Sequence, residues 1–93
     1  MTEETRRQIK IAADILIGAG AQAVYVFGSS AEGTETDASD IDLAVSGLPP
    51  EKFFHAWGEA TTAVRRPLDV VDLDESNPFT EYLQRKGNLQ RVA

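Results

Sequence analysis

Residues 28–42 read GSSAEGTETDASDID, and this stretch decides how the rest of the chain is interpreted. An apolar run, VYVF at 24–27, precedes it, and it ends in the alternating pattern DIDL at 40–43. Because successive side chains of a strand point to opposite faces, the carboxylates of Asp40 and Asp42 are predicted to share one face. The stretch therefore predicts two strands joined by a polar loop, with two anions aimed at one place.

The other elements follow from the spacing of the apolar residues. We predict helices over residues 5–17, 51–64 and 79–86, strands over 23–27, 40–45 and 68–73, an edge strand over 89–92 and a helical turn over 29–33. Pro50 is well placed as the first residue of the second helix. The order predicts an α/β (α+β) fold, a small mixed β-sheet flanked by helices mainly on one face. Its 93 residues suffice for a single domain over residues 1–93.

Composition narrows the classes of function. The chain has no cysteine, which excludes disulfide, zinc-ribbon and thiol chemistry and favours a reducing cytoplasm. Its net charge of -6 makes direct nucleic-acid binding unfavourable, since phosphate neutralisation needs clustered basic residues. The acidic start at residues 1–4 does not resemble a signal peptide, and Asp14 and Gln22 interrupt the most apolar region. We expect a soluble cytoplasmic protein without a membrane span.

A third acid is expected to join Asp40 and Asp42. Asp72 lies three positions after Asp69, an odd spacing, so in a regular strand only one of them can face the pair. We choose Asp69, at the beginning of its strand, and expect Asp72 and Asp74 to face solvent or form a turn. Any one acid alone could be an exposed or turn-capping residue.

Three converging anions repel one another unless a cation lies between them. Oxygen ligands without a histidine or cysteine cluster favour magnesium, or manganese in its place. Gly28 and Ser29, with Ser30 beside them, offer N–H groups and hydroxyls for phosphate oxygens. Metal ions beside a phosphate-binding turn predict phosphoryl or nucleotidyl transfer.

The pattern resembles the signature of the polymerase-β-like nucleotidyltransferase superfamily, and the length of the chain resembles its minimal nucleotidyltransferase branch. The matching segments are Gly28-Ser29, ten residues, Asp40-Ile41-Asp42, and later Leu68-Asp69-Val70-Val71. The resemblance implies that Asp40, Asp42 and Asp69 bind two Mg²⁺ ions and that Gly28-Ser29 binds the triphosphate of ATP. Members of this branch are often antitoxins paired with a HEPN-type ribonuclease toxin, which they silence by transferring AMP to it.

One residue departs from that pattern. Family members commonly carry basic residues after the Gly-Ser pair, whereas this chain has Glu32. A carboxylate there either points away from the nucleotide or marks an altered nucleotide site. Two hypotheses therefore remain: an adenylyltransferase acting on a partner protein, with Asp69 helping to deprotonate the acceptor, or a binding module that neutralises a toxin by contact alone.

Two features of the second helix complete the expectations. Its aromatic residues, Phe53, Phe54 and Trp57, are expected to belong to the core rather than to a ligand site. Arg65 and Arg66 could hold phosphates, or could equally favour the C-terminus of the helix through its dipole.

Overall fold

The computed structural model describes residues 2–28, 31, 33 and 40–93. The elements within them are α1 (Glu3–Gly18), β1 (Ala23–Phe27), β2 (Ile41–Ser46), α2 (Pro50–Val64), β3 (Leu68–Asp72), α3 (Pro78–Lys86) and β4 (Gln90–Arg91). Each helix and strand predicted in this part of the chain is present, with ends that differ by one or two residues. The helical turn predicted over residues 29–33 falls mostly outside the described residues.

The four strands form one mixed sheet in the order β3-β2-β1-β4. β1 is antiparallel to both β2 and β4, whereas β2 and β3 are parallel. The predicted mixed sheet is thus confirmed. Because β2 runs opposite to β1 and in the same direction as β3, the C-terminal end of β1 meets the N-terminal ends of β2 and β3 at one edge of the sheet.

The two faces of the sheet are covered unequally. The larger core packs α1 and α2 on one face, and its fully buried strand residues include Val24, Val26, Leu43 and Val45. A smaller cluster lies on the other face, where Leu83 of α3 packs with Ala44, Leu73 and their neighbours. The prediction that helices lie mainly on one face therefore holds, and α3 is the helix that covers the second face.

A buried hydrogen-bond network joins α1 to the segment after α2. The Arg66 side chain is only 9% exposed, and its Nη1 donates to Oγ1 of Thr5 at 3.1 Å and to Oε1 of Gln8 at 2.9 Å. Arg65 ends α2 in the left-handed conformation, with φ of 57°. Neither predicted role, phosphate binding or interaction with the helix dipole, describes these contacts of Arg66, whose guanidinium joins α1 to the segment after α2.

The expectation for the aromatic residues of α2 is wrong for Phe54. Phe53 is buried, but Phe54 is 76% exposed and stacks on Trp57, with ring centroids 6.2 Å apart. Consecutive helix residues point about 100° apart, so with Phe53 turned to the core Phe54 falls at the border of that side, where no neighbouring element of the described chain covers it. Nε1 of Trp57 donates to the carbonyl oxygen of Leu68 at 2.7 Å and so covers part of the free edge of β3.

A further expectation concerned membrane spans. No helix in the described part of the chain is both long and apolar enough to cross a bilayer.

Candidate active site

The structure brings three predicted carboxylates to one edge of the sheet. Asp42 of β2 is the direct register partner of Asp69 in the parallel strand β3, and Asp40 immediately precedes β2. Ile41 and Leu43 are fully buried on the face covered by α1 and α2. Asp42 must then point to the opposite face, and its register partner Asp69 shares that face.

The Asp42 carboxyl is the electrostatic centre of this group. Burial raises its pKa above the ordinary value of 3.8, and the negative charges of Asp69 and Asp40 raise it further. Asp42 is half-buried, whereas Asp40 and Asp69 are exposed. Two exposed anions thus act on a third that has lost part of its hydration, as expected where a cation is to be held between them.

Gly28 lies directly against this carboxylate. It follows Phe27, which pairs with Asp42 across β1 and β2, and its φ of +74° is in the left-handed region. A Cβ at this position would lie 3.3 Å from Cγ of Asp42 and would collide with its Oδ2. Glycine is therefore required here for two reasons: the left-handed backbone conformation and the close approach of the carboxylate.

The other two acids of this region, Asp72 and Asp74, form hydrogen bonds with backbone N–H groups at the end of β3. Asp72 is the register partner of Val45, whose side chain is buried in the larger core, so Asp72 faces away from Asp69. Oδ1 of Asp72 accepts a hydrogen bond from the N–H of Asp74 at 2.9 Å. Oδ2 of Asp74 accepts one from the N–H of Gly47 at 2.7 Å. The turn contact between Asp72 and Asp74 and the exposure of Asp74 agree with the prediction that these acids face solvent or form a turn.

Of the predicted phosphate-binding residues, only Gly28 is among those that the structure describes. Ser29, Ser30 and Glu32 lie outside the described residues, so the phosphate-binding prediction is represented only by Gly28. Within the described residues, no three carboxylate, histidine or cysteine side chains already form a metal-binding group. The donor set nevertheless fits magnesium, because its oxygen ligands carry a mutual repulsion that a divalent cation relieves.

One wall of the site was not foreseen from the sequence. α3 crosses the face that carries the acids, and its Phe79 packs edge-to-face with Phe27, with ring centroids 6.3 Å apart. A cavity of about 280 Å³ extends from Phe27 and Gly28 along α3, past Tyr82 to Lys86. The spacing of Phe79, Tyr82 and Lys86 puts them on one side of a helix, but it does not tell which face of the sheet α3 covers.

Known structures share this fold. A toxin-antitoxin complex with AMP-PNP matches with a TM-score of 0.64 and 24% identity, over 97% of this chain and 72% of that chain. A mutant of the toxin-antitoxin complex MntA-HpeT matches with a TM-score of 0.65 and 23% identity, over 100% and 73%. The toxin-antitoxin complex MntA-HepT gives a TM-score of 0.57 and 22% identity, over 92% and 68%. At these identities the likeness establishes the fold.

Sequence comparison identifies the family. No curated protein matches the chain. The sequence model described as polymerase beta, nucleotidyltransferase matches residues 8–89, from within α1 to just before β4. The match includes Gly28, Asp40, Asp42 and Asp69, and it spans well over half of the chain. The chain therefore belongs to the polymerase beta nucleotidyltransferase family.

Proposed function

We propose that this protein is a magnesium-dependent nucleotidyltransferase that transfers AMP from ATP to a hydroxyl group of a partner protein. The observation that carries the proposal is the meeting of Asp40, Asp42 and Asp69 at one sheet edge, against Gly28. Membership of the nucleotidyltransferase family supports the reaction class. The choice of ATP is supported by the AMP-PNP held in a complex of the same fold.

Each residue of the site has a proposed role. Asp40, Asp42 and Asp69 hold two Mg²⁺ ions, and Gly28, with Ser29 and Ser30, binds the triphosphate through N–H and hydroxyl groups. When bound, magnesium neutralises charge on the triphosphate and lowers the pKa of the attacking hydroxyl. Asp69 is exposed, so an acceptor can reach it, and its carboxylate takes up the hydroxyl proton.

The proposed step is an in-line displacement at the α-phosphorus. The acceptor oxygen forms a bond to that phosphorus while the bond to the bridging oxygen of the β-phosphate breaks. Pyrophosphate leaves with the electron pair of the broken bond, and AMP remains on the acceptor. Because the three carboxylates are fixed at the ends of paired strands, the site contributes mainly position and charge to this step.

The proposed partner is a toxin, in particular a HEPN-type ribonuclease. Toxin-antitoxin complexes with this fold support the assignment, which makes the protein an antitoxin. The net charge of -6 is complementary to a basic partner. Glu32, at a position where the family commonly has a basic residue, is the reason to test catalysis and complex formation separately.

The deciding experiment mixes the protein with ATP labelled at the α-phosphate, Mg²⁺ and the product of the neighbouring gene. We expect label on the partner, and we expect Asp42→Asn to reduce it by more than about a hundredfold, since an acid at the reaction centre is lost. Asp72→Asn is the matched control, because Asp72 faces the other way and Asn keeps the Oδ1 acceptor of its turn.

Each outcome separates the alternatives. Label that persists in Asp42→Asn contradicts the mechanism. A stable complex that never acquires label favours the second hypothesis, a module that neutralises its toxin by contact.

A further inference from the structure

The side of α3 next to the carboxylates carries two aromatic residues that the fold does not bury. Phe79 is 50% exposed and Tyr82 is 53% exposed. Lys86, seven residues after Phe79, continues the same side of the helix. Leu83, on the inner side of α3, is only 4% exposed and already anchors the helix to the sheet. About half of each of these two aromatic residues therefore stays accessible to a ligand.

These side chains line the cavity that begins at Gly28. Phe27 and Gly28 form one end, Phe79 and Tyr82 the aromatic wall, and Lys86 the cationic end. Its volume of about 280 Å³ lies near the lower limit of small-molecule pockets, about 300 Å³. A cavity of this size has room for a planar ring system but not for a helix or strand of a partner.

We propose that this cavity, the aromatic slot, binds the base and sugar of the substrate nucleoside triphosphate. The proposal rests on the proposed function and adds a binding surface outside the carboxylates and the Gly-Ser turn. Gly28 belongs to both regions, so a triphosphate held at Gly28 has its nucleoside end within reach of the slot.

The chemistry of the slot fits that occupant. A nucleobase presents two aromatic faces, and stacking on a Phe or Tyr ring stabilises any base. Phe79 is held by Phe27 at 65° between ring planes, so one ring supports the other in a fixed orientation. Lys86 lies at the end of the slot away from Gly28, where its ammonium group can donate a hydrogen bond to an acceptor atom of the base or the sugar. Among the described side chains, no carboxylate forms an ion pair with Lys86.

A protein side chain is the competing occupant, because an acceptor tyrosine is also planar. The position of the slot favours the nucleoside. It opens beside Gly28, on the β1 side of Asp42, whereas exposed Asp69, the proposed proton acceptor, lies on the opposite side, in β3. In an in-line displacement the acceptor hydroxyl attacks the α-phosphorus opposite the leaving pyrophosphate. The nucleoside, joined through its 5′ oxygen, occupies another position on that phosphorus, so the two need separate binding surfaces.

The test compares two ligands by calorimetry, each with Mg²⁺ and the full chain. AMP-PNP has a base, and tripolyphosphate has only the phosphates. Tyr82→Ala and Phe79→Leu are expected to weaken AMP-PNP binding by about 5- to 150-fold, the effect of losing one base–aromatic stack. Both should bind tripolyphosphate within about twofold of the parent protein. Leu at position 79 keeps an apolar contact with Phe27, and thermal melting verifies that both variants are folded.

Phe54→Ala is the control, since Phe54 is more exposed than either slot residue and lies on α2. It should leave both affinities unchanged. Unchanged AMP-PNP binding in the slot variants overturns the proposal, and so does equal weakening of both ligands. Full AMP-PNP affinity with loss of label transfer assigns the slot to the acceptor instead.

The two proposals fail in different ways. If the parent protein binds AMP-PNP and the slot variants do not, yet no partner is ever labelled, nucleoside binding by the slot is supported and the proposed catalysis is contradicted. If label is transferred normally by folded slot variants at low ATP concentration, the proposed catalysis is supported and nucleoside binding by the slot is contradicted.

Discussion

Asp42 and Asp69 are direct partners in the parallel register of β2 and β3. Strands in a sheet lie about 4.8 Å apart, so the backbone itself holds these two carboxylates next to each other. Asp42 cannot move away from Asp69 to relieve the repulsion, because its chain neighbours Ile41 and Leu43 are fully buried. The raised pKa of Asp42 is the electrostatic sign of this arrangement, and a bound cation is its natural remedy.

Magnesium should therefore stabilise the folded protein. Binding to the native state alone adds about 2.7 kcal/mol when the ion is present at a hundred times its Kd. For a domain of this size each kcal/mol corresponds to about 4–8 °C in Tm. We expect thermal melting to show a rise with millimolar MgCl₂ beyond that produced by NaCl of equal ionic strength. The rise should be largely lost in Asp42→Asn, and an equal response to both salts would contradict a magnesium site.

Without metal, the same acid should make stability depend on pH. The pKa of Asp42 is raised in the folded state, so between its unfolded value near 3.8 and its folded value the native protein binds more protons than the unfolded chain. The contribution of Asp42 is therefore fully present below the unfolded pKa and is lost as pH rises through the folded pKa.

Urea unfolding in EDTA from pH 4 to 7.5 can measure this effect as a difference between proteins. Asp42→Asn should become progressively more stable than the parent protein as pH rises, and the gap should level off above the folded pKa. Titrating groups that do not interact with Asp42 contribute equally to both proteins and cancel in the difference. Asp40 and Asp69 interact with its charge, so the difference reports the three acids together. If the stability of the two proteins changed with pH in the same way, the pKa of Asp42 would not be raised in the folded state.

Gly28 should tolerate no side chain. Ala at this position needs a left-handed backbone, at a cost of about 1–2 kcal/mol, and its Cβ would also displace the Asp42 carboxylate. Gly33 separates the two effects, because its φ is +77° but no atom of the described residues lies within 4 Å of the place that a Cβ would occupy. We expect Gly28→Ala to lower Tm more than Gly33→Ala and to lower label transfer as well. Equal losses of Tm would mean that the contact with Asp42 is harmless.

Thr5 should matter for stability and not for chemistry. Its fully buried Oγ1 accepts a hydrogen bond from Arg66, and Thr5→Val removes that acceptor from the buried guanidinium. The expected cost is about 1–3 kcal/mol, measured by urea unfolding. Lys10→Gln removes only an exposed pair with Asp14 and should cost less than about 0.5 kcal/mol. Label transfer by Thr5→Val below its Tm should be unaffected, and a loss there would contradict a purely structural role for this hydrogen bond.

Much of the site could be predicted because it depends on periods within single strands. The alternation at residues 40–43 places Asp40 and Asp42 on one face, and the odd spacing of Asp69 and Asp72 separates their roles. Both arguments use only the twofold period of a strand. The agreement ends at Ser29, Ser30 and Glu32, which lie outside the described residues and remain predictions.

What could not be predicted depends on how elements pack. The spacing in α3 indicates an apolar side, yet only the tertiary structure shows that Leu83 packs on the face that carries the acids. For that reason Phe79 and Tyr82 could not be connected with Asp42 from the sequence. Phe54 was missed for a related reason, since an apolar residue at the border of a helix's apolar side does not reveal whether the neighbouring element covers it.

The last strand of the sheet has a consequence for biosynthesis. The N–H of Val24 donates to the carbonyl oxygen of Ala93 at 3.0 Å, and the N–H of Val92 donates to the carbonyl oxygen of Val24 at 2.8 Å. β1 and β4 lie far apart in the sequence, so a ribosome releases β1 long before its outer partner. The nascent chain must hold an unpaired strand edge until residues 90–93 leave the exit tunnel, and during that time it is open to pairing with other chains.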